Sequence, residues 1–460
     1  MKREWPDAPN AILLAVGLVV AMVCCSRTDA DWTVTPRGSV ALTAGSVTGI
    51  REFSGVTYMG HVPGPTVAGL HRFAAIQDSG NQIVLFDVGI TSNGTLAGAT
   101  AVSKRTISPG ADYEGIVFTG AARNTVFVSE EGTPGVHEHN LTTGERLQSA
   151  ALPAVFQNFV ANKSLESLTR SVDGDEMWTA NEEALVPDGA PATASSGTTV
   201  RLQKLADQSG TLSTGSQFAY TVDPIHTTTM PNRSGLVDMV MLPDDTLLAL
   251  ERSAAATLPA FRSRIYQVNF GGATDTSAAQ FNTGLAGKTF TPVGKTQLWS
   301  GQVDGAVGTN LEGITLGPSL PNGNWLLLGV VDNAGEGATT IAAFELSLTG
   351  NATAGDFNRD GKVDQSDYVL WKNTYGSTIT LAADSNGNQV VDAADYTIWR
   401  NNLSAAGNSA ARPSDDQTSS IPEPTAAWQI AVACLIGYSA RHKPASSKSR
   451  IEGNSRGRRL

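Results

Sequence analysis

Residues 356–403 contain a short acidic loop written twice, with residue types and spacing that suit chelation of a hard cation. The first copy puts Asp356, Asn358, Asp360, Asp364 and Asp367 at loop positions 1, 3, 5, 9 and 12, and the backbone carbonyl of Lys362 at position 7. The second puts Asp384, Asn386, Asn388, Asp392 and Asp395 at the same positions, with the carbonyl of Val390 at position 7. Carboxylates, side-chain amides and a backbone carbonyl are the donors that Ca²⁺ collects, roughly six to eight at a time. Gly361 at position 6 permits the sharp turn in the first loop. Gln389 stands there in the second, so the second site is expected to be weaker. Asp, Asn and Gly also make ordinary turns. Recurrence of the whole pattern favours the metal, because Tyr368-Val-Leu-Trp371 and Tyr396-Thr-Ile-Trp399 follow the two loops as matching helices whose rings would pack together.

A second acidic pattern runs through residues 31–350. Tyr113-Glu114-Gly115-Ile116 precedes Thr125-Val-Phe-Val-Ser-Glu130-Glu131, and Leu165-Glu166-Ser-Leu168 precedes Glu176-Met-Trp-Thr-Ala-Asn-Glu182-Glu183. Leu236-Val-Asp238 precedes Leu247-Leu-Ala-Leu-Glu251-Arg252, and Leu311-Glu312-Gly313-Ile314 precedes Trp325-Leu-Leu-Leu-Gly-Val-Val-Asp332. A degenerate copy joins Phe53-Ser-Gly55 to Asp78. Only 16% of residues are charged and 47 are Gly, a composition of strands and tight turns rather than helices. Each copy reads as a hairpin continued by further strands such as Gly135-Val-His-Glu-His139. Four-stranded units of about fifty to seventy residues describe an all-β chain folded as a β-propeller. Five units are visible and a sixth is conceivable between the termini, so five to six blades are expected; a β-sandwich is the alternative.

In a propeller the first strand of each blade lines the central channel. Glu114, Glu166, Asp238 and Glu312 are therefore expected in one ring at a channel mouth, and Asp78, Glu130, Glu182, Glu251 and Asp332 in a second. Like charges held so close repel unless a cation sits among them, or unless they serve as acceptors for backbone amides. Arg252 is a candidate for bidentate binding of a phosphate, or for an ion pair with Glu251. The catalytic candidates are thus Glu114, Glu166, Glu182, Asp238, Glu251, Arg252, Glu312 and Asp332, with Arg72 and Arg170 as further cations. His137 and His139 share one strand face and could ligate a metal. Residues 31–350 have no Gly-x-Ser-x-Gly elbow and no His-Glu-x-x-His helix, which argues against serine-esterase and zinc-protease chemistry there.

Three family resemblances follow from these residues. Residues 354–404 resemble a type I dockerin, a small α-helical, calcium-folded docking module, which implies two bound Ca²⁺ and a cohesin-like protein partner. Gln365-Ser366 and Ala393-Ala394, at that family's partner-contact positions, depart from the hydroxyl pairs of cellulosomal members. Glu-Gly-Ile, Leu-Glu-Ser-Leu, Asn-Glu-Glu, Leu-Leu-Ala-Leu-Glu-Arg and Asn-Leu-Glu-Gly-Ile, spread over residues 45–348, resemble the phytase-like domain described as having esterase-like activity. That resemblance implies a calcium-dependent hydrolase acting on a phosphorylated small molecule. The rival reading is a propeller that binds a ligand or protein without turning it over. Ile421-Pro-Glu-Pro424, a short apolar stretch and a basic tail are similar to the bacterial PEP-CTERM sorting signal.

The ends point outward from the cytoplasm. Lys2-Arg3, the apolar run Ala11 to Val23 and Thr28-Asp29-Ala30 read as a signal peptide over residues 1–30, with residues 405–420 a polar linker and residues 421–460 the sorting signal, a short membrane segment with basic flank. All three cysteines, Cys24, Cys25 and Cys434, lie in those apolar ends, so the body needs no disulfides. The net charge of −11 disfavours nucleic acid as a partner and favours cations. Residues 186–199, rich in Pro, Ala, Ser and Gly, read as a mobile insertion that, with 253–261, would border the channel.

Overall fold

The computed structural model describes residues 32–63, 69–78, 80–172, 174–208, 211–230, 232–303, 309–335, 337–348, 353–359, 361–378, 381–388 and 390–403. The segments read as signal peptide, linker and sorting signal lie outside these residues, as do Asp360 and Gln389.

Twenty strands build five four-stranded antiparallel blades among the described residues. A first strand, β1 (Trp32–Thr43), precedes the blade β2 (Phe53–His61), β3 (Gly69–Gln77), β4 (Gln82–Ile90) and β5 (Leu96–Thr106). The second blade is β6 (Tyr113–Phe118), β7 (Thr125–Glu130), β8 (Gly135–Asn140) and β9 (Arg146–Ala150). The third is β10 (Leu165–Arg170), β11 (Glu176–Asn181), β12 (Thr198–Gln208) and β13 (Thr211–Val222). The fourth is β14 (Asn232–Met241), β15 (Leu247–Ala255), β16 (Phe261–Asn269) and β17 (Gly294–Gly301). The fifth is β18 (Asn310–Ser319), β19 (Trp325–Asp332) and β20 (Thr340–Leu348), completed on its outside by β1, which pairs antiparallel with β20 from Trp32↔Leu348 to Ala41↔Thr340. The segment expected to offer a sixth blade between the termini thus closes the fifth instead. A two-residue parallel bridge, Leu42↔Ala99 and Thr43↔Thr100, ties β1 on to the first blade.

The inner strands β2, β6, β10, β14 and β18 each lie against the next, and β18 returns to β2. Every blade is covered on both faces by its neighbours, which is why its inner strands read as near-continuous apolar runs; β7 is buried along its whole length. Five apolar clusters fill the five gaps between blades. Phe53, Phe73 and Phe86 meet Leu326, Leu328 and Ile341 in one; Leu236 and Leu247 meet Trp178 and Val200 in another. Outer strands alternate and carry charge, as Lys104 and Arg105 do on β5, which protects the open edge. Hairpin turns use Asn81, Asn124 and Asp245 with positive φ, the residues best able to adopt it.

Each inner strand opens with a break in register against its partner. The shifts fall at Phe53/Gly55, Tyr113/Ile116, Leu165/Ser167, Leu236/Asp238 and Leu311/Gly313. Such a bulge re-aims one side chain per strand. Neighbouring inner strands come close here: a Cβ on Gly55 would lie 2.4 Å from Glu114 O, and one on Gly115 would lie 2.6 Å from Leu168 N.

After the propeller come α1 (Gln365–Thr374) and α2 (Ala393–Asn402), each with a capping box. Asp364 caps α1 and Asp392 caps α2, so loop position 9 also starts the helix. Trp371 Nε1 donates to the Asp392 carbonyl and Trp399 Nε1 to the Asp364 carbonyl, both at 2.8 Å, a reciprocal clasp between the two halves. Tyr368 and Tyr396 complete the aromatic cluster, with Tyr368–Trp399 centroids 5.3 Å apart and Trp371–Tyr396 5.0 Å apart.

Candidate functional site

The bulges decide which acidic residues gather at the channel mouth, the end where the inner strands begin. The re-aimed residues are Ser54, Glu114, Glu166, Val237 and Glu312. Asp238, grouped with these glutamates on the basis of sequence, stands one residue later, in the column of Gly55, Gly115, Ser167 and Gly313. Its oxygens are occupied: Oδ1 accepts from Met239 N and Oδ2 from Ile314 N, both at 2.8 Å, and the Leu168 amide also donates to it. Asp238 clips three inner strands together, and both its oxygens are taken up by backbone amides.

A similar one-residue offset divides the second set. Partners of the first inner-strand residue are Gln77, Glu130, Asn181, Glu251 and Val331; the next column, which reaches the mouth, is Asp78, Glu131, Glu182, Arg252 and Asp332. Glu130 and Glu251 therefore turn between blades. Glu130 meets His137 Nε2 at 2.9 Å and Arg146 Nη2 at 3.3 Å. Glu251, fully buried, accepts from Tyr220 Oη at 2.7 Å and Asp223 N at 3.0 Å and pairs with Lys295. It forms no ion pair with Arg252, whose Nη2 instead reaches Glu182 Oε1 at 2.8 Å and Glu312 Oε1 at 3.4 Å.

Two carboxylate trios result, Asp78–Asp112–Glu114 and Glu131–Glu166–Glu182, each with one oxygen per residue within 4.8 Å of the others. Asp112, Glu131 and Lys163 belong to this site and were missed from sequence. Lys163 Nζ lies 2.5 Å from Glu182 Oε2, and Glu131 Oε1 accepts from Ser164 N at 3.1 Å. On the fifth blade Asn310 Nδ2 donates to Glu312 Oε1 at 2.6 Å and Asp332 Oδ2 at 3.0 Å.

Burial and mutual repulsion set the protonation of the mouth. Burial pushes Asp78 up to about 7, helped by its hydrogen bond with Asp112. Burial raises Glu131 and Glu312 to about 7 as well, against the pull of Lys163 and of Arg252 respectively. Glu114 and Glu166 are driven well above the carboxylate range by burial and by neighbouring acids. Glu182 is held low: burial opposes ionisation, but Arg252 and Lys163 outweigh it. Protons can thus relieve the repulsion that a cation would relieve.

A cation fits this donor set. Among the described residues Glu312 Oε2 and Asn310 Oδ1 are buried oxygens with no hydrogen-bond donor, and Arg252 Nε is a buried donor with no acceptor. The first two suit a hard cation and the third an anionic oxygen.

The remaining candidates lie elsewhere. Arg72 is clamped to Asp87 by two bonds of 2.7 and 2.9 Å. Arg170 stands at the far end of β10, 3.6 Å from Asp207. His137 and His139 flank Tyr113 between blades, and burial lowers both, leaving them neutral. The loop at 186–199 is anchored by buried Asp188, which accepts from Arg201 Nε and Nη2 at 2.7 Å and from Leu285 N at 2.9 Å.

In the helical module the position-12 carboxylates staple their loops. Asp367 Oδ1 accepts from Phe357 N at 2.7 Å and Asn358 N at 3.0 Å, and its Oδ2 from Asp364 N at 2.8 Å. Asp395 repeats this with Ser385, Asn386 and Asp392 amides. Asp356 Oδ2 accepts from Gly361 N at 3.0 Å, and Asp384 Oδ1 from Asn388 N at 3.1 Å, so each loop curls around its first residue. Oxygen donors from Asn358, Lys362, Asp364, Asn386, Asn388, Val390 and Asp392 lie along the same curls, a set that fits calcium.

No curated protein matches the chain significantly. Solved structures with a similar arrangement include an endo-arabinase from Bacteroides thetaiotaomicron (11% identity, 67% of this chain and 97% of that one, TM-score 0.36). A luciferin-regenerating enzyme (8%, 70% and 96%, 0.29) and a chain of a nidogen/laminin complex (8%, 66% and 91%, 0.28) are others. These likenesses are too distant to bear on function. Residues 354–404 match the dockerin type I domain. Residues 48–335, most of the chain, match the phytase-like model described as esterase-like activity of phytase, and the chain belongs to that family.

Proposed function

We propose that the channel mouth is a calcium-dependent site for hydrolysis of a phosphate ester. The observation that carries this reading is the pairing of two carboxylate trios with Arg252 and Lys163 at one mouth. Glu114, Glu131, Glu166, Glu182 and Glu312, with Asp78, Asp112 and Asp332, would hold the cation. When bound, calcium polarises phosphoryl oxygens and lowers the pKa of a coordinated water. The chain's own residues do the rest. Arg252 directs its unpartnered Nε at a phosphate oxygen, and Glu182 keeps Arg252 and Lys163 in place as positioning residue. A carboxylate of the mouth that the ion leaves uncoordinated takes up the proton of the attacking water.

The surrounding modules support a secreted or surface-displayed protein: the dockerin-like pair binds two Ca²⁺ and a cohesin-like partner, and the terminal segments direct export and sorting. No described helix is long and apolar enough to cross a membrane. The second reading, a propeller that binds its ligand without turnover, draws support from Arg252 and Lys163 already being paired with Glu182. A screen of phosphomonoesters for phosphate release, with calcium and with chelator, separates the two. Calcium-dependent release that disappears in Glu166→Gln and Glu312→Gln supports the enzyme. Ligand binding without release in every case supports the platform.

A further inference from the structure

At the end of the channel opposite the acidic mouth the helical module lies against the propeller. A cavity of about 640 Å³ there is lined by all five inner strands and, on its remaining side, by residues 373–377, Leu381 and Ala382. Beside the cavity the contact is apolar. Trp325 and Leu327 of the fifth blade share one buried cluster with Phe357, Val363 and Leu381. A charged contact sits beside it: Arg359 stacks its guanidinium 5.7 Å from the Trp325 ring centroid, within the field of Asp244 on the fourth blade.

We propose that this far face of the propeller is a docking surface whose partner is the calcium-loaded module of the same chain, which covers part of that end of the channel. The residues that meet the propeller belong to the ion-binding loops. Phe357, Arg359 and Val363 are positions 2, 4 and 8 of the first loop, and Leu381 and Ala383 lead into the second. Arg359 reaches Trp325 from a left-handed backbone, φ 58°, which is part of the loop's curl. Loops of this kind take their shape from the ion, so ion binding is folding free energy. Removing calcium therefore removes the shape that presents Arg359 and Phe357. The helix starts at Gln365-Ser366 and Ala393-Ala394 stay exposed, leaving the face expected to meet a separate partner free while the module is docked. The proposal rests on the calcium reading of these loops and not on hydrolysis at the mouth.

Hydrogen exchange of the full chain, with and without calcium, tests it. In the native protein calcium should slow exchange about tenfold over residues 241–246 and 323–325, the turns of the fourth and fifth blades beside Arg359. Asp356→Ala with Asp384→Ala should abolish that response. Arg359→Glu should abolish it as well while still binding calcium, which excludes simple unfolding of the module. Residues 111–116 and 163–167 report the mouth separately, so loss of their calcium response leaves the docking result intact. Equal exchange at the two turns with and without calcium, or native-like protection in Arg359→Glu, would overturn the proposal.

Discussion

Glu182 lies between two buried cations, with Oε1 2.8 Å from Arg252 Nη2 and Oε2 2.5 Å from Lys163 Nζ. One carboxylate thus pairs with two positive charges at the mouth; Arg252 has a second, longer pair with Glu312 at 3.4 Å, and Lys163 has no other ion pair among the described residues. Glu182→Gln strands Lys163 and leaves Arg252 with Glu312 alone. The cost should be about 3–5 kcal/mol, since breaking a buried pair leaves an uncompensated charge. Urea denaturation measures it, with Glu166→Gln as the contrasting case. That substitution removes a repulsive group and should cost far less.

Asp238 supplies the opposite control. Asp238→Ala leaves the Ile314, Met239 and Leu168 amides without their acceptor, and each unsatisfied buried amide costs about 1–3 kcal/mol. The variant should melt lower yet keep the calcium response of the mouth. Loss of that response in a folded Asp238→Ala protein would put Asp238 back among the ligands.

Much of the fold was legible because each blade repeats a hairpin of apolar strands ending in acidic residues. Blade closure was not: β1 is separated from β20 by nearly the whole propeller, and nothing in its own residues names its partner. The site was legible to within one residue. Aligning blades on their carboxylates put Asp238 beside Glu114 and Glu130 beside Glu182. The small residues Gly55, Gly115, Ser167 and Gly313 mark the true register, since they sit just past each bulge where backbones crowd. Aligned on that column, Val237 falls beside Glu166 and Glu131 beside Glu182. Lys163 carried little repeat signal because, of the other blades, only the first has a cation two residues before its inner strand, Arg51.

The ion-free mouth should be less stable at higher pH. Asp78, Glu131 and Glu312 titrate near 7 when folded and near about 4 when unfolded, so the folded state holds more protons between those values. Their contribution is fully present below about pH 4 and is lost as pH rises through about 7. Melting temperatures in chelator should fall from pH 5 to pH 8, and calcium should restore more at pH 8. Calcium uptake must also displace protons from Glu114 and Glu166, so heats measured in buffers of different ionisation enthalpy should reveal proton release.

The two loops of the module should differ. Gly361 takes φ 85° at position 6 of the first, a conformation glycine adopts without strain. The second has Gln389 there, and Gln389→Gly should tighten the weaker of the two module sites in a calcium titration of the full chain. Equal affinities before substitution would remove the basis for that difference.

Calcium binding at the mouth itself is most directly tested by titrating calcium into the full chain carrying Asp356→Ala and Asp384→Ala, which silence the module. Residual binding should remain, release protons, and disappear when Glu131→Gln and Glu166→Gln are added while the protein stays folded. No binding beyond the silenced loops, or binding indifferent to those two glutamates, would contradict the calcium site at the mouth.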